Sequence, residues 1–391
     1  MKLAEATTSQ IDELTKHGGF EIKHWTYATK PKEEGNGVQD LPHNHDSPRC
    51  EREPSDHAPR VKESSDEQKV LGLQWNSKED EFRFKVQLNF TTKIKIKKSR
   101  SGPNLTRGQV PTFIPPILTK RMVLSQINGI YDPLGLATQF TVRAKMLMRK
   151  LWIVSLRPWA DPIPESLSQE WLEFFAELFE MQDIRFRRCI RPRGAIGDPY
   201  LVMFSDGSDQ AYGTCAYVRW QLAIGKFTSN LIAVKSRVTP IRKITIVRIE
   251  LNGALLSKRL SAFIKKESLL VFSKEFFIVD SEIVRAMVQK ESYGFNTYAA
   301  VRVGEIQAGT SPSDWYWVEG KLNIADCTTR GKSPQDLNEE SLWQKGPEFL
   351  QLPESEWPIK IESSIAQLPE ETKTSCFGYC NSDLKFAVQR N

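Results

Sequence analysis

Carboxylates recur in this 391-residue chain at places where apolar segments end. Asp206 comes shortly after the apolar run 201–204, which is typical of a strand covered on both faces. Asp280 ends a second apolar run, 276–279. An ionised carboxylate beside a buried strand is costly unless a cation, an arginine or backbone N–H groups compensate its charge. Both positions therefore require a partner with positive charge or N–H donors.

Two further carboxylates complete the pattern. Glu250 lies near the first turn of a predicted helix, and Asp326 follows the predicted strand 315–318. Mg²⁺ prefers oxygen donors and keeps positions open for water and phosphate. Together with Asp206 and Asp280, these residues form the ligand set that a two-metal nuclease requires. A strand-end Asp alone is more often a turn or capping residue, so the hypothesis depends on the set of four.

The segments around these carboxylates predict a domain of the α/β (α+β) class. Ile249, Leu256, Leu260, Phe263 and Ile264 recur at helical spacing, so we expect the helix that carries Glu250 to bury this face. Apolar segments before this helix predict three antiparallel strands, and helices and strands alternate after it. We therefore expect a mixed sheet with flanking helices, preceded by a small β unit and a helical segment.

Several short motifs around the carboxylates carry a family resemblance. They are Lys69-Val70-Leu71-Gly72-Leu73-Gln74-Trp75, Tyr131-Asp132-Pro133-Leu134-Gly135-Leu136, Lys235-Ser236-Arg237-Val238, Arg248-Ile249-Glu250-Leu251-Asn252, Asn323-Ile324-Ala325-Asp326 and Thr329-Arg330-Gly331. In this order they resemble the polyproteins of BEL/Pao-type LTR retrotransposons, in the region also named the Pao retrotransposon peptidase family. The resemblance spans residues 66 to 358 and covers the end of a reverse transcriptase and a ribonuclease H-like domain.

The resemblance implies a reaction and a role for each carboxylate. The reaction is hydrolysis of the RNA strand of RNA–DNA hybrids with two Mg²⁺ ions, Mn²⁺ being the alternative ion. Asp206 would bridge both ions, Glu250 and Asp280 would hold the ion on the leaving-group side, and Asp326 would hold the ion that activates water. The sequence departs from the family in having no histidine after His57 and in having Gly207 where alanine is usual. We expect Gly207 to add flexibility beside Asp206 and to weaken the site.

The resemblance and the composition together predict five regions. These are a remnant of a reverse transcriptase palm at 1–28, a disordered linker at 29–66, a reverse transcriptase thumb/connection-like region at 67–195, a ribonuclease H-like domain at 196–335 and a C-terminal linker or tail at 336–391. The linker at 29–66 is rich in Pro, Glu, Lys, Asp and Ser and has little to bury. No Tyr-x-Asp-Asp motif occurs, so we expect no polymerase activity.

Basic side chains supply candidate contacts to nucleic acid. Lysine and arginine on helix faces and strands can bind phosphates without sequence preference, although a solvated surface is nearly as good an explanation for each residue alone. The candidates are Lys120, Arg121, Arg143, Lys145, Arg149, Lys150, Lys235, Arg237 and Arg330. The net charge of +6 permits such a partner without requiring it.

The sequence also argues against other classes of protein. No run approaches 18 apolar residues and no secretory signal is evident, so we expect no membrane contact and a cytoplasmic location, with the nucleus as the alternative. Six cysteines without a dense framework suit a reducing compartment. The order Asp206-Gly207-Ser208 does not match the Asp-Thr/Ser-Gly motif of retroviral-type proteases. There is also no Gly-x-Ser-x-Gly motif, so we do not expect a peptidase.

Two functional hypotheses remain open at this point. The first is a Mg²⁺-dependent ribonuclease H acting on RNA–DNA hybrids, and the presence of all four carboxylates favours it. The second is a non-catalytic, decayed retroelement remnant that binds a hybrid or another nucleic acid, and the lack of the polymerase motif favours it. Under either hypothesis, a full-length retroelement polyprotein is a candidate partner.

Overall fold

A computed structural model of the chain describes residues 9–11, 13, 67–70, 73–91, 93–94, 99–100, 102–110, 112–154, 158–223, 225–361, 365 and 367–372. Apart from 9–11 and 13, the predictions for 1–28 and 29–66 concern residues outside this set, as does the end of the predicted tail. Among the described residues, no helix is long and apolar enough to cross a membrane.

The described residues form short strands in the first half of the chain and longer ones in the second. The strands are β1 (Glu67–Val70), β2 (Leu73–Asn76), β3 (Glu81–Arg83), β4 (Lys93–Ile94), β5 (Ser99–Arg100), β6 (Arg185–Arg187), β7 (Ala195–Gly207), β8 (Ala211–Leu222), β9 (Phe227–Val238), β10 (Lys274–Val279) and β11 (Trp315–Trp317). The helices are α1 (Lys120–Ile127), α2 (Thr138–Val154), α3 (Glu165–Leu178), α4 (Ile246–Glu267), α5 (Glu282–Gln289), α6 (Thr297–Gln307), α7 (Cys327–Arg330) and α8 (Leu342–Lys345). Short 3₁₀ turns lie at Arg107–Gln109, Phe179–Gln182, Ser292–Gly294, Pro312–Asp314, Gly320–Leu322, Ile324–Asp326, Pro334–Leu337, Glu348–Gln351 and Glu354–Glu356.

The chain divides into two compact units that do not follow the predicted boundaries. The first unit contains Met1–Ala137, Lys150–Arg193 and Ser333–Gln344, and the second contains Thr138–Arg149, Gly194–Lys332 and Lys345–Asn391. The predicted ribonuclease H-like domain at 196–335 therefore accounts for most of the second unit. The predicted range leaves out two parts of the second unit, which are the first part of α2 and the segment after Gln344.

In the first unit a small antiparallel sheet and a helix bury aromatic side chains. The sheet has the strand order β1-β2-β3-β6, and Phe84 meets Phe186 edge to face with their ring centroids 5.8 Å apart. Helix α3 buries Trp171, Phe174 and Phe175, which share one face because they lie three and four residues apart. The small β unit and the helical segment expected from the sequence are both present. Whether they derive from a reverse transcriptase stays a prediction.

The second unit is built on a mixed five-strand sheet with the order β11-β10-β7-β8-β9. Strand β8 is antiparallel to both β7 and β9, whereas β10 runs parallel to both β7 and β11. Helix α4 covers one face, where Leu251 and Ala254 share a core with Leu201 and Met203 of β7. The predicted fold class, a mixed sheet with flanking helices, is confirmed.

Two glycines allow α4 to approach β7 closely. A Cβ atom on Gly253 of α4 would lie 2.7 Å from the carbonyl oxygen of Asp206, and one on Gly207 would lie 2.7 Å from the amide nitrogen of Glu250. Both distances are shorter than a Cβ atom tolerates. Gly207 therefore has a packing role that the sequence analysis did not assign, because it lets β7 and the backbone of Glu250 come together, and its effect on the strength of the site stays a prediction.

The other face of the sheet is covered by the segment that follows Gln344. Phe349 packs on Phe204, and Trp357 packs on Phe276 with ring centroids 4.8 Å apart. Leu350 is fully buried in the same segment. The prediction of a linker over 336–391 was therefore wrong for this part of the chain, because its aromatic and aliphatic side chains cover part of the face of the sheet opposite α4.

A buried arginine fixes this covering segment to the sheet. Arg219 of β8 is only 1% exposed, and it donates hydrogen bonds to the carbonyl oxygens of Leu350 and Leu352 at 2.7 and 2.6 Å. Its guanidinium also lies over the rings of Phe227 and Trp357. The carbonyl groups and the rings offset the cost of burying the positive charge.

Candidate active site

The carboxylates Asp206 and Asp280 are placed by two neighbouring parallel strands. Asp206 is the penultimate residue of β7, and Asp280 comes directly after β10. The register pairs Ser205 with Val279, so the residues that follow them are neighbours. Because β7 and β10 are parallel, their carboxyl ends meet at one edge of the sheet.

Glu250 and Asp326 reach the same edge from other elements. Glu250 lies near the start of α4, and its backbone approaches Gly207 of β7. Asp326 ends the 3₁₀ turn Ile324–Asp326. The side chain of Asn323 holds this turn against β7 by donating to the carbonyl oxygen of Ser205 at 3.0 Å. The fold therefore brings the four carboxylates to one region.

Each carboxylate is oriented by a neighbouring hydrogen-bond donor. The hydroxyl of Thr329 donates to Asp206 Oδ2, and the hydroxyl of Ser281 donates to Glu250 Oε2 at 2.7 Å. The other two pairs are Arg330 with Asp326 and Asn323 with Asp280. Sequence reasoning had assigned no role to Thr329, Ser281 or Asn323. The available signal was that Asn323 and Thr329 lie in the motifs of the family resemblance.

Burial and mutual repulsion raise the pKa values of three of these acids. Burial, followed by the negative charge of Asp206, raises the pKa of Asp280 to about 7, although the hydrogen bond from Asn323 opposes the change. Burial also raises the pKa of Asp206 against the hydrogen bond from Thr329. Burial raises the pKa of Glu250, and the charge of Asp206 adds to the rise. The cluster thus concentrates more negative charge than its surroundings neutralise.

This charge is the chemical argument for a cation. Carboxylate oxygens are the donors that Mg²⁺ and Mn²⁺ prefer, and a divalent ion would remove the repulsion that raises the pKa values. In the part of the chain that the structure describes, no three His, Cys, Asp or Glu side chains are arranged to hold one metal ion. The donor set therefore fits a divalent cation by its chemistry, and the side chains would have to move closer together than they lie here to coordinate one.

Comparison with known proteins shows a similarity to one protein family over part of the chain. Residues 119–281 match the family model described as the Pao retrotransposon-like RNaseH-like domain. This match confirms the resemblance drawn from the sequence motifs for the RNaseH-like region, and the reverse transcriptase part of the resemblance stays a prediction. It covers Asp206, Glu250 and Asp280, whereas Asp326 lies beyond it. No curated protein matches the chain.

Two solved structures are similar to part of the chain. One is the N-terminal RNase H domain of a Mycobacterium tuberculosis protein, solved as a fusion with maltose-binding protein. It is 16% identical, the similarity covers 34% of this chain and 96% of that one, and the TM-score is 0.24. The other is RNase H1 from the halophilic archaeon Halobacterium salinarum NRC-1, at 14% identity, with coverage of 32% and 89% and a TM-score of 0.21.

The basic residues predicted to bind nucleic acid occupy different environments in the first unit. Lys120 is only 2% exposed, and its ammonium lies 4.5 Å from the ring centroid of Trp152. A phosphate contact by Lys120 was therefore a wrong prediction, because the amine is buried against an aromatic ring. Lys150 pairs with Glu170 at 2.5 Å, and Arg121 is exposed.

The basic residues in the second unit also occupy different environments. Arg149 Nε donates to the carbonyl oxygen of Thr239 at 2.6 Å, and Lys145 donates to that of Ser236 at 3.4 Å. Arg143 likewise donates to a backbone carbonyl, that of Lys332. These bonds tie the first part of α2 to the end of β9 and to Lys332. The remaining candidates are exposed, and they are Lys235, Arg237 and Arg330. Their contact with nucleic acid stays a prediction.

Proposed function

We propose that this protein is a divalent-cation-dependent ribonuclease of the ribonuclease H type, which hydrolyses the RNA strand of RNA–DNA hybrids. The observation that supports this proposal most is the placement of Asp206, Glu250, Asp280 and Asp326 at one edge of the sheet, with raised pKa values for the first three. The match of residues 119–281 to an RNaseH-like family supports the same conclusion.

The four carboxylates would hold two Mg²⁺ ions, or Mn²⁺ as the alternative. Such ions lower the pKa of bound water and neutralise the charge of a scissile phosphate. The protein's own groups orient the donors. Thr329 and Ser281 hold the carboxylates of Asp206 and Glu250, and Asn323 holds both Asp280 and the turn that carries Asp326.

The choice of a hybrid as substrate follows from the family resemblance. Proteins distinguish RNA from DNA mainly through the 2′-hydroxyl groups and the shape of the duplex, so we expect little sequence preference. We expect no polymerase activity, since the chain has no Tyr-x-Asp-Asp motif. The partner is therefore a hybrid or a related nucleic acid, and a full-length retroelement polyprotein is a second candidate.

One observation favours a second candidate function, a non-catalytic protein that binds nucleic acid. Among the described residues, no group of three potential ligands is arranged around a single metal position. The four carboxylates are engaged by donors of the protein itself. If these hydrogen bonds persist in the presence of Mg²⁺, the chain would bind a hybrid without cleaving it.

A cleavage assay separates the two candidates. The purified chain is incubated with a hybrid labelled on the RNA strand in Mg²⁺, in Mn²⁺ and in EDTA, and binding is measured in parallel. We expect RNA cleavage with either metal, none in EDTA, and none of a DNA duplex. Binding of the hybrid without cleavage under any condition would establish the second function, and an absence of metal binding in calorimetry would agree with it.

A further inference from the structure

A cavity of about 200 Å³ lies in the second unit. Its polar walls come from β8, β9, α4 and α6, and they include Tyr212, Arg237, Asn252, Arg259 and Arg302. None of the four carboxylates of the candidate active site lines it. Its volume is several times the ~30 Å³ that one water molecule occupies in the liquid, so a small ligand group fits.

The strand register places this cavity on the helix-covered face of the sheet. Tyr212 pairs with both Arg237 and Gly207. Gly207 faces α4, because a Cβ atom there would meet the backbone of Glu250. Side chains alternate between the two faces along a strand, so Asp206 points to the other face. The cavity is therefore a different place from the carboxylate cluster.

The walls of the cavity carry an excess of positive charge. Glu305 is the one carboxylate among the described lining residues, and Arg259 engages both of its oxygens at 2.7 Å. Arg302 Nε donates to Asn252 Oδ1 at 2.7 Å, and its guanidinium carbon lies 3.6 Å from the ring centroid of Tyr298. These two contacts fix the position of Arg302 without adding a negative charge.

Arg237 supplies a positive charge that has no ion-pair partner among the residues that the structure describes. Its side chain is exposed at the cavity, and within the described ranges the structure records no ion pair or hydrogen bond for it. The lining thus places three guanidinium groups against one carboxylate. Leu255 and Leu256 form a buried apolar wall beside them. Such a wall lowers the local dielectric constant and strengthens the attraction of an anion to the arginines.

We propose that this cavity binds a phosphate group through Arg237 and Arg302, with the hydroxyl of Tyr212 as a further donor. Guanidinium groups suit this ligand because their planar N–H pairs match two phosphate oxygens at once. The phosphate comes either from the backbone of a bound nucleic acid or from a free phosphate or nucleotide. Binding of phosphate is independent of the proposed nuclease activity, whereas its assignment to a nucleic-acid backbone rests on the proposed function.

The first test uses inorganic phosphate and metal-free protein at low salt. Arginine side-chain signals are followed by NMR during a phosphate titration. Arg237→Ala should weaken binding about tenfold, as expected for the loss of hydrogen bonds to a charged group. Arg237 is exposed, so this change should leave the fold intact. Lys266→Ala removes one positive charge elsewhere on α4 and should bind like the wild type. Absence of saturable binding, or equal binding by Arg237→Ala, would overturn the proposal.

The second test distinguishes the sources of the phosphate. Affinity for an RNA–DNA hybrid in EDTA is measured against salt concentration. If the backbone is the ligand, Arg237→Ala should flatten the log–log slope by about 0.7 to 0.9, the value for one lost phosphate contact. An unchanged slope, together with weakened binding of inorganic phosphate, would assign the cavity to a free phosphate or nucleotide. A wild-type chain that binds phosphate but neither binds nor cleaves the hybrid would contradict only the proposed function.

Discussion

Asp206 is coupled electrostatically to each of the other three carboxylates. Its negative charge raises the pKa values of Asp280 and Glu250, and the charge of Asp326 raises its own. Its Oδ2 also accepts a hydrogen bond from the hydroxyl of Thr329, which links the end of β7 to α7. Asp206 interacts electrostatically with all three of the other acids. Removal of its charge should therefore weaken cation binding more than removal of any other charge in the set.

Replacement of Asp206 by Asn tests whether the negative charge at this position is needed for RNA cleavage. Asn keeps the size of the side chain but removes the charge, so RNA cleavage should fall by at least about 10³-fold. Hybrid binding should survive, since it depends mainly on phosphate and shape contacts. Cleavage and binding are measured on the same hybrid. Asp209→Asn, at the exposed turn between β7 and β8, is the matched control and should stay near wild type. Unchanged cleavage by Asp206→Asn would exclude this site.

The raised pKa of Asp280 predicts how metal-free stability depends on pH. Its pKa is about 7 in the folded protein against an ordinary 3.8, so between these values the folded state holds a proton that the unfolded chain has released. The contribution of Asp280 to the free energy of unfolding therefore decreases as the pH rises from 3.8 to about 7, and it stays low at higher pH. Asp280→Asn removes the free-energy cost of holding a buried negative charge beside Asp206 in the folded state. In EDTA it should raise the melting temperature by a few degrees at pH 8 and by less at pH 5.

Thermal unfolding in EDTA checks this expectation, and Asp209→Asn again controls for the change in net charge. Divalent metal should stabilise the wild type at pH 8 more than Asp280→Asn, since the variant has lost a ligand. A difference in melting temperature that is the same at pH 5 and pH 8 would show that the Asp280 charge is not penalised in the folded state.

The contact between helix α4 and strand β7 sets the distance between Glu250 and Asp206. Gly253 lies three residues after Glu250 and rests against the carbonyl oxygen of Asp206. Alanine is favoured over glycine in a helix by about 1 kcal/mol. That gain is opposed by an overpacking cost of about 1–3 kcal/mol, because a backbone oxygen cannot move aside as a flexible side chain does.

Gly253→Ala should therefore destabilise the second unit and lower cleavage by displacing Glu250 from Asp206. Denaturant unfolding and the hybrid assay measure the two effects. Gly294→Ala is the matched control, since a Cβ atom there meets nothing within 4 Å. If Gly253→Ala were more stable than the wild type and fully active, the close approach of α4 to β7 would not matter for the site.

The strands of the five-strand sheet were easier to predict from the sequence than the segment after Gln344 that covers one of its faces. The apolar runs at 201–204 and 276–279 are continuous and end at polar residues, so their strands were predictable. The covering segment after Gln344 consists of short 3₁₀ turns with single aromatic residues, and it has no periodicity that a sequence pattern could detect. It was therefore mistaken for a linker.

The sequence also could not predict the environment of individual charged side chains. Lys120 lies over the ring of Trp152, and Arg219 lies over the ring of Trp357. Both are buried by aromatic residues that are distant in the chain, and no local pattern marks that contact. The four carboxylates could be recognised because their motifs resemble those of a family, whereas the orienting roles of Ser281 and Thr329 required coordinates.

Removal of the covering segment after Gln344 should destabilise the whole second unit. A chain ending at Gln344 would lose Phe349, Trp357 and both carbonyl partners of Arg219. Each buried aromatic side chain is worth about 3–5 kcal/mol, and whole domains are stable by only about 5–15 kcal/mol. We therefore expect this truncated chain to lose hydrogen-exchange protection in β7 and β8. A chain ending at 372 keeps the segment and should match the full chain. Equal protection in both truncated chains would show that the segment is dispensable, as the sequence had suggested.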